Sequence, residues 1–267
     1  MSVTWIDKMA VDVRGEGRDV LFVHGLGGSL NTWTPLLPAL GRFRCIRPEL
    51  PGAARSARAY ALGEATPHQG RLSTAVHVDA LLRICDALRV DAAHVIGHSY
   101  GTLIAQHLAV REPARVRSLA LFGALAEPAP AARDAMRARA ATVRAQGMLE
   151  VAEATSNAAL SAHTRDNDAL AVAFVRESLA AHDAEGYARN CLALAESQAA
   201  PAEQIRCPVL IVGGDDDGVT PLSVGRQLAA RLADARVHSL PRCGHWPTVE
   251  RPAECQRLLR EFLERIR

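Results

Sequence analysis

Residues 93–111 read Ala-His-Val-Ile-Gly-His-Ser-Tyr-Gly-Thr-Leu-Ile-Ala-Gln-His-Leu-Ala-Val-Arg. Residues 93–97 are short and apolar, with β-branched Val95 and Ile96, and read as a buried strand. Residues 100–111 carry apolar side chains at helical spacing and stop before Pro113, which has no N–H to continue a helix. Between them stands Gly97-His98-Ser99-Tyr100-Gly101. A nucleophilic serine must hold its oxygen clear of the sheet and within reach of a base. A tight strand–turn–helix bend does this. The bend strains the serine backbone and brings strand and helix close, so the flanking positions must be small. Gly-x-Ser-x-Gly alone is a weak pattern; the strand before it and the helix after it supply the context. Ser99 is therefore the expected nucleophile.

Outward from this bend, short apolar runs alternate with longer amphipathic stretches. Strands are expected at 19–24, 43–46, 116–122, 208–212 and 237–240, and helices at 73–88, 221–232 and 253–266. In the first of these helices Val76, Ala80, Leu81, Ile84 and Leu88 share one face. The alternation predicts an α/β fold, a mostly parallel central sheet with helices on both faces. The rhythm breaks from about residue 127 to 198, which is rich in Ala, Arg and Glu and shows no strand. Met136, Ala140 and Val143 suggest one helix; Leu170, Phe174 and Leu179, then Tyr187, Cys191 and Leu194, suggest others. This stretch reads as a helical cap at 127–200, inserted between core segments 1–126 and 201–267.

Three further segments carry chemistry. His24-Gly25-Leu26-Gly27-Gly28 follows the first strong strand. Attack on a carbonyl builds charge on its oxygen, and two aimed backbone N–H groups stabilise it, each by about 3 kcal/mol. Leu26 in this loop and Tyr100 after the nucleophile are the expected donors. The segment lacks G-x-G-x-x-G and the lysine of a phosphate loop. Gly213-Gly214-Asp215-Asp216-Asp217-Gly218-Val219-Thr220-Pro221 follows another strand. A carboxylate there can orient a histidine and stabilise its imidazolium. Asp217 is favoured because it stands directly before the turn into the next helix; no spaced oxygen set suggests calcium. Cys243-Gly244-His245-Trp246-Pro247 follows the last strand and offers His245 as the base. Of the other histidines, His68, His163 and His182 are expected at the surface, His77 and His107 within helices, and His24 and His98 in loop and elbow geometry. Ser99, Asp217 and His245 occur in the chain order this fold class uses.

Together these segments resemble the α/β-hydrolase superfamily over nearly the whole chain. The cap stretches around Arg139–Met148 and Asp183–Cys191 are similar to those of 3-oxoadipate enol-lactonases, which open a carboxylate-bearing lactone. That resemblance implies that Arg139 or Arg144 pairs with a substrate carboxylate and that Trp246 borders the substrate. Ala159-Leu160 stands where the family commonly has Trp-Phe, and Glu49-Leu50-Pro51-Gly52-Ala53-Ala54-Arg55-Ser56 replaces its Asp-x-Arg-Gly-His-Gly-x-Ser loop. Both departures imply a reshaped pocket. The reaction expected is hydrolysis of a carboxylic ester or lactone of a small acid. C–C bond hydrolysis or perhydrolysis by the same triad, and a non-catalytic small-molecule receptor, are the alternatives. Dehalogenases and epoxide hydrolases of this superfamily use Asp where Ser99 stands.

Composition agrees with an enzyme of small molecules. With 31 basic and 29 acidic residues the formal charge is +2, which gives no face for nucleic acid or anionic membrane. Lys8 is the only lysine. The six cysteines show no C-x-x-C and no zinc spacing, and read as buried thiols of a reducing compartment. Asp7, Lys8 and Asp12 leave no room for an apolar signal region. A cytoplasmic protein without metal or cofactor is expected, its oligomeric state open.

Overall fold

The computed structural model describes residues 3–61 and 70–266, so the expectation for His68 lies outside the described residues. Eight strands form one sheet: β1 (Val3–Ile6), β2 (Met9–Arg14), β3 (Arg18–Val23), β4 (Phe43–Pro48), β5 (Ala93–His98), β6 (Val116–Phe122), β7 (Val209–Gly214) and β8 (Ala235–Leu240). Their spatial order is β1-β2-β4-β3-β5-β6-β7-β8. Every pairing from β4 through β8 is parallel; β1 with β2 and β2 with β4 are antiparallel.

Successive side chains of a strand point to opposite faces, and the sheet divides its core accordingly. Leu21, Val23, Val95, Leu119 and Ile211 join one cluster with α1 (Thr74–Ala87) and α2 (Tyr100–Arg111). Their neighbours Val20, Phe22, Ile96, Ala120 and Val212 face the other way, against Trp33, Leu36 and the C-terminal helix residues Leu258, Leu259 and Phe262. Apolar burial on both faces is why the central strands read as continuous apolar runs. At the start of α1 the Ser73 hydroxyl accepts from the Val76 N–H, so Ser73 caps the helix from outside it.

The antiparallel pair β1–β2 was absent from the sequence reading. Its turn runs through Asp7 and Lys8, both with left-handed backbone at φ 47° and 66°. Hairpins announce themselves by Asn-Gly or Asp-Gly at such positions, and this one carries neither glycine nor asparagine.

Between β6 and β7 lie five helices: α3 (Pro130–Gln146), α4 (Leu149–Ala159), α5 (Ala162–Asn167), α6 (Ala169–Ala180) and α7 (Ala184–Ala195). They bury a cluster of their own, with Ala140, Val143, Val151, Val175, Leu179, Tyr187 and Cys191, into which the core contributes Trp246. Leu170 does not take the inward place expected of it: it is 83% exposed, and Ala171, Val175 and Leu179 form the buried row of α6. All six cysteines are free thiols; five are buried and Cys207 is half-buried. The chain continues after β7 through α8 (Leu222–Ala229), α9 (Pro247–Glu250) and α10 (Pro252–Glu264).

Candidate active site

Ser99 joins β5 to α2 with φ 52° and ψ −122°. A non-glycine residue takes such a conformation only where its surroundings impose it. They do so here by contact. A Cβ at Gly97 would fall 2.7 Å from the Gly101 carbonyl oxygen, and one at Gly101 would fall 2.0 Å from the Val23 carbonyl oxygen. Strand, helix and the end of β3 thus close on the bend with no space for a side chain.

His245 and Asp217 come from loops after β8 and β7, at the same carboxyl end of the sheet. Ser99 Oγ lies 2.8 Å from His245 Nε2, and His245 Nδ1 lies 2.9 Å from Asp217 Oδ2. A carboxylate only accepts, so Nδ1 carries the proton and Nε2 is left to accept from the Ser99 hydroxyl. Asp217 is held in turn. Its Oδ1 accepts from the Val219 and Thr220 N–H groups, each at 2.8 Å, and its Oδ2 from the Thr220 hydroxyl at 2.9 Å. Burial alone would raise this carboxyl; the His245 ring and the hydrogen bonds from His245 and Thr220 outweigh burial and hold it below the usual carboxylate range. The two neighbouring aspartates are engaged elsewhere. Asp215 accepts from Cys243 N–H at 3.2 Å and Asp216 from Ala162 N–H at 3.0 Å.

The loop after β3 lies against the nucleophile: a Cβ at Gly25 would stand 2.8 Å from Ser99 Cβ. His24 anchors that loop, its Nδ1–H donating to the Gly25 carbonyl at 2.9 Å while Nε2 accepts from Leu50 N–H at 3.0 Å. Burial pushes His24 down to about 4, so the ring stays neutral and keeps this one-donor, one-acceptor pattern. Leu26 follows Gly25 in the loop, and Tyr100 is the first residue of α2, where no intrahelical carbonyl takes up its N–H. The Tyr100 side chain is turned into the core, its hydroxyl 3.2 Å from Thr74 Oγ1. His98 supports the base: its Nε2–H donates to the His245 carbonyl at 2.7 Å, and its ring packs 5.0 Å from that of His245 and 5.1 Å from that of Trp246. Burial, then the neighbouring His245, push His98 down to about 3.

The cap residues divide differently from the sequence expectation. Arg144 makes a two-pronged ion pair with Glu185, at 2.7 and 2.8 Å, on the outer surface. Its guanidinium fork is occupied by that carboxylate, so the structure does not bring Arg144 to the site. Arg139 is half-buried and pairs with no carboxylate among the described residues. Its guanidinium lies near the buried Tyr187 hydroxyl, countering the upward push of burial on that phenol. Trp246 is 2% exposed and joins core to cap. His182 corrects the surface reading. It is buried, accepts from Ala54 N–H at 3.4 Å, and turns the other side of its ring toward the Gly27 and Gly28 backbone. His182, Tyr187, His24, Leu26 and Tyr100 border a small space of about 10 Å³ beside the Gly25 loop, roughly one water's worth. A wider cleft of about 450 Å³ lies between Phe174 and Arg55.

Two features of the site went unread in the sequence. The Thr220 hydroxyl had a signal, since an Asp followed three residues on by Thr permits the Asx-type turn seen here. His182 and Tyr187 had none; the packing of α6 and α7 turns them inward. Among the described residues no group of three or more His, Cys, Asp or Glu side chains is arranged to hold a metal ion. No described helix is long and apolar enough to cross a membrane.

Known proteins resemble this chain in sequence and fold. The RutD protein of Variovorax paradoxus (strain S110), named as a candidate carbamate hydrolase, is 32% identical over 94% of this chain and 93% of its own length. A 2-hydroxymuconate semialdehyde hydrolase of Pseudomonas putida is 28% identical, covering 94% of this chain and 88% of its own. Among solved structures, the enol-lactonase of Burkholderia xenovorans LB400 superposes with a TM-score of 0.87 at 26% identity, covering 98% of this chain and 100% of that one. The model of the α/β hydrolase fold family matches residues 20–252, from β3 to the first residue of α10. That span holds the elbow, the glycine loop and both loops that face Ser99, and this chain belongs to the α/β hydrolase fold family.

Proposed function

We propose that the protein is a serine hydrolase that cleaves a carboxylic ester or lactone of a small acid through an acyl-enzyme on Ser99. The observation that carries this reading is the unbroken hydrogen-bonded chain from Ser99 Oγ to His245 at 2.8 Å and on to Asp217 at 2.9 Å. Ser99 Oγ attacks the carbonyl carbon as His245 Nε2 takes its proton. The amides of Leu26 and Tyr100 receive the charge that forms on the carbonyl oxygen. Collapse breaks the bond to the leaving oxygen, which takes the proton from His245. Water then attacks the acyl-enzyme with the same imidazole as base and frees Ser99. Asp217 stays ionised throughout and stabilises the imidazolium.

Arg139, a half-buried cation beside the buried Tyr187 hydroxyl, supports a substrate that carries a carboxylate. The carboxylate of a compound such as 3-oxoadipate enol-lactone would give that guanidinium fork an acceptor. The experiment is a panel of lactones and short esters, each with and without a free carboxylate, run beside labelling with a fluorophosphonate. Turnover with labelling at Ser99 and preference for the acids is the expected result. Ligand binding with neither turnover nor labelling would replace the enzyme by a receptor. The relatives named for carbamate and semialdehyde hydrolysis favour a second reading, attack by the same serine on a carbamate or a C–C bond beside a ketone. One substrate of each kind in the panel separates them.

A further inference from the structure

The peptide groups on both sides of His245 are pinned. Gly244 N–H donates to Glu250 Oε2 at 3.0 Å, His245 N–H to the Ala159 carbonyl at 2.7 Å, and Trp246 N–H to Glu250 Oε1 at 3.1 Å. The His245 carbonyl is taken by His98 Nε2–H at 2.7 Å. Two of these four bonds end on one carboxylate. The same carboxylate reaches the cap, where Glu250 Oε2 accepts from Ser161 N–H at 2.9 Å and from the Thr164 hydroxyl at 2.8 Å. The Ser161 hydroxyl adds a bond to the Arg242 carbonyl at 2.9 Å. Glu250 ends α9, one helical turn beyond Trp246, so its side chain folds back over the loop it follows.

The chemistry of this cluster is one-sided. The four donors to the carboxylate are three amides and a hydroxyl, and the carboxylate is 4% exposed. A buried carboxylate is tolerated only when its oxygens are filled, and here the filling donors come from two parts of the chain that must stay in register. We propose that Glu250 is a positioning residue: it locks the loop carrying His245 to cap residues 159–164, so that His245 Nε2 stays within reach of Ser99 Oγ. It acts through Gly244 and Trp246 and touches neither substrate nor reacting atoms. This inference rests on the hydrolase reading above.

Glutamine has the right shape and the wrong donor pattern. Its oxygen can serve one side of the cluster, but its NH₂ then faces an N–H on the other. Displacement of a catalytic group by about 1 Å can cost about a hundredfold in rate. Glu250→Gln is expected to lower kcat on an activated ester by about tenfold with KM within about twofold, and to slow fluorophosphonate labelling of Ser99 by a similar factor. The low-field NMR signal of the His245 Nδ1 proton, sharp in the parent protein, is expected to broaden. Thr164→Val removes one cap-side donor and keeps the shape; a loss of about threefold in both rates is expected. A folded Glu250→Gln protein with parental kcat, labelling rate and Nδ1 signal overturns the proposal, as does a change confined to KM. Should Glu250→Gln not fold, Thr164→Val decides, and an unchanged labelling rate overturns it. A parent protein that neither turns over esters nor is labelled brings down the hydrolase reading itself, a result distinct from any of these.

Discussion

The core side and the cap side of the site are finished to different degrees. On the core side the three reacting groups are joined to one another and to fixed backbone: Asp217 accepts from two amides, a hydroxyl and an imidazole, and His245 is pinned at both flanking peptides. On the cap side Tyr187 and His182 are buried, and Arg139 lies beside the Tyr187 hydroxyl with no carboxylate partner among the described residues. A hydrogen bond to a charged group is worth about 1.5–3 kcal/mol, so a ligand carboxylate on Arg139 would gain about that much. The contrast separates two tasks. Under the proposed hydrolase reading, Ser99, His245 and Asp217 are organised before substrate arrives, as electrostatic catalysis requires, while recognition is left to be completed by the ligand.

The largest test of that contrast is Ser99→Ala, which removes the hydroxyl proposed to form the acyl-enzyme. Turnover is expected to fall by about 10⁴-fold or more with the fold intact; retention of rate, measured by steady-state hydrolysis, would break the comparison at its base. Arg139→Ala tests the other half. KM for carboxylate-bearing substrates is expected to rise about tenfold or more, with neutral esters unaffected and kcat nearly constant, the pattern of lost ground-state binding. An equal loss on both substrate sets would place Arg139 with the reacting groups instead.

Acid sharpens the comparison through stability. His24, His98 and His182 are pushed down to about 4, 3 and 4 by burial, against a usual 6.5. The unfolded chain therefore takes up protons first as pH falls below about 6.5, and stability drops from there until the folded values near 3 to 4 are passed. Asp217, depressed in the folded state, adds to the same trend at the acid end, since the unfolded carboxyl protonates before the folded one. Thermal unfolding from pH 7 to pH 4 should show a falling midpoint; a flat profile would mean that burial does not hold these imidazoles neutral. The smallest effect is expected at Arg144→Ala. Loss of its exposed pair with Glu185 should change stability by about 0.5 kcal/mol or less and leave KM for acids unchanged, read by thermal melts and kinetics.

The comparison also explains which parts of the molecule were legible in advance. The elbow was read in full, and α2 and β6 were placed to the residue at Tyr100–Arg111 and Val116–Phe122, because strand, bend and helix are imposed by neighbours in the chain. Asp217 could be chosen over Asp215 and Asp216 since the turn to Thr220 is local too. Arg139 and Arg144 could not be told apart. Five residues along a helix rotate a side chain by about 140°, so only one of the two can face the interior, and which one depends on where α7 packs. His182 went to the surface in a local reading for the same cause, and nothing in the local sequence marked Glu250, whose partners at residues 161 and 164 lie far away in the chain.

By itself, the amino-acid order determined the parallel sheet and the strained serine between two glycines, and it singled out Asp217 and His245 as the expected partners of Ser99, all of which follow from periodicity and from steric demands within a few residues. Tertiary structure alone decided the antiparallel edge at Val3–Arg14, the inward turn of Arg139, Tyr187 and His182, and the convergence of residues 161, 164, 244 and 246 on Glu250. The physical reason is that burial and hydrogen bonding of those groups are supplied by segments distant in the chain, and no local pattern records which distant surface will arrive.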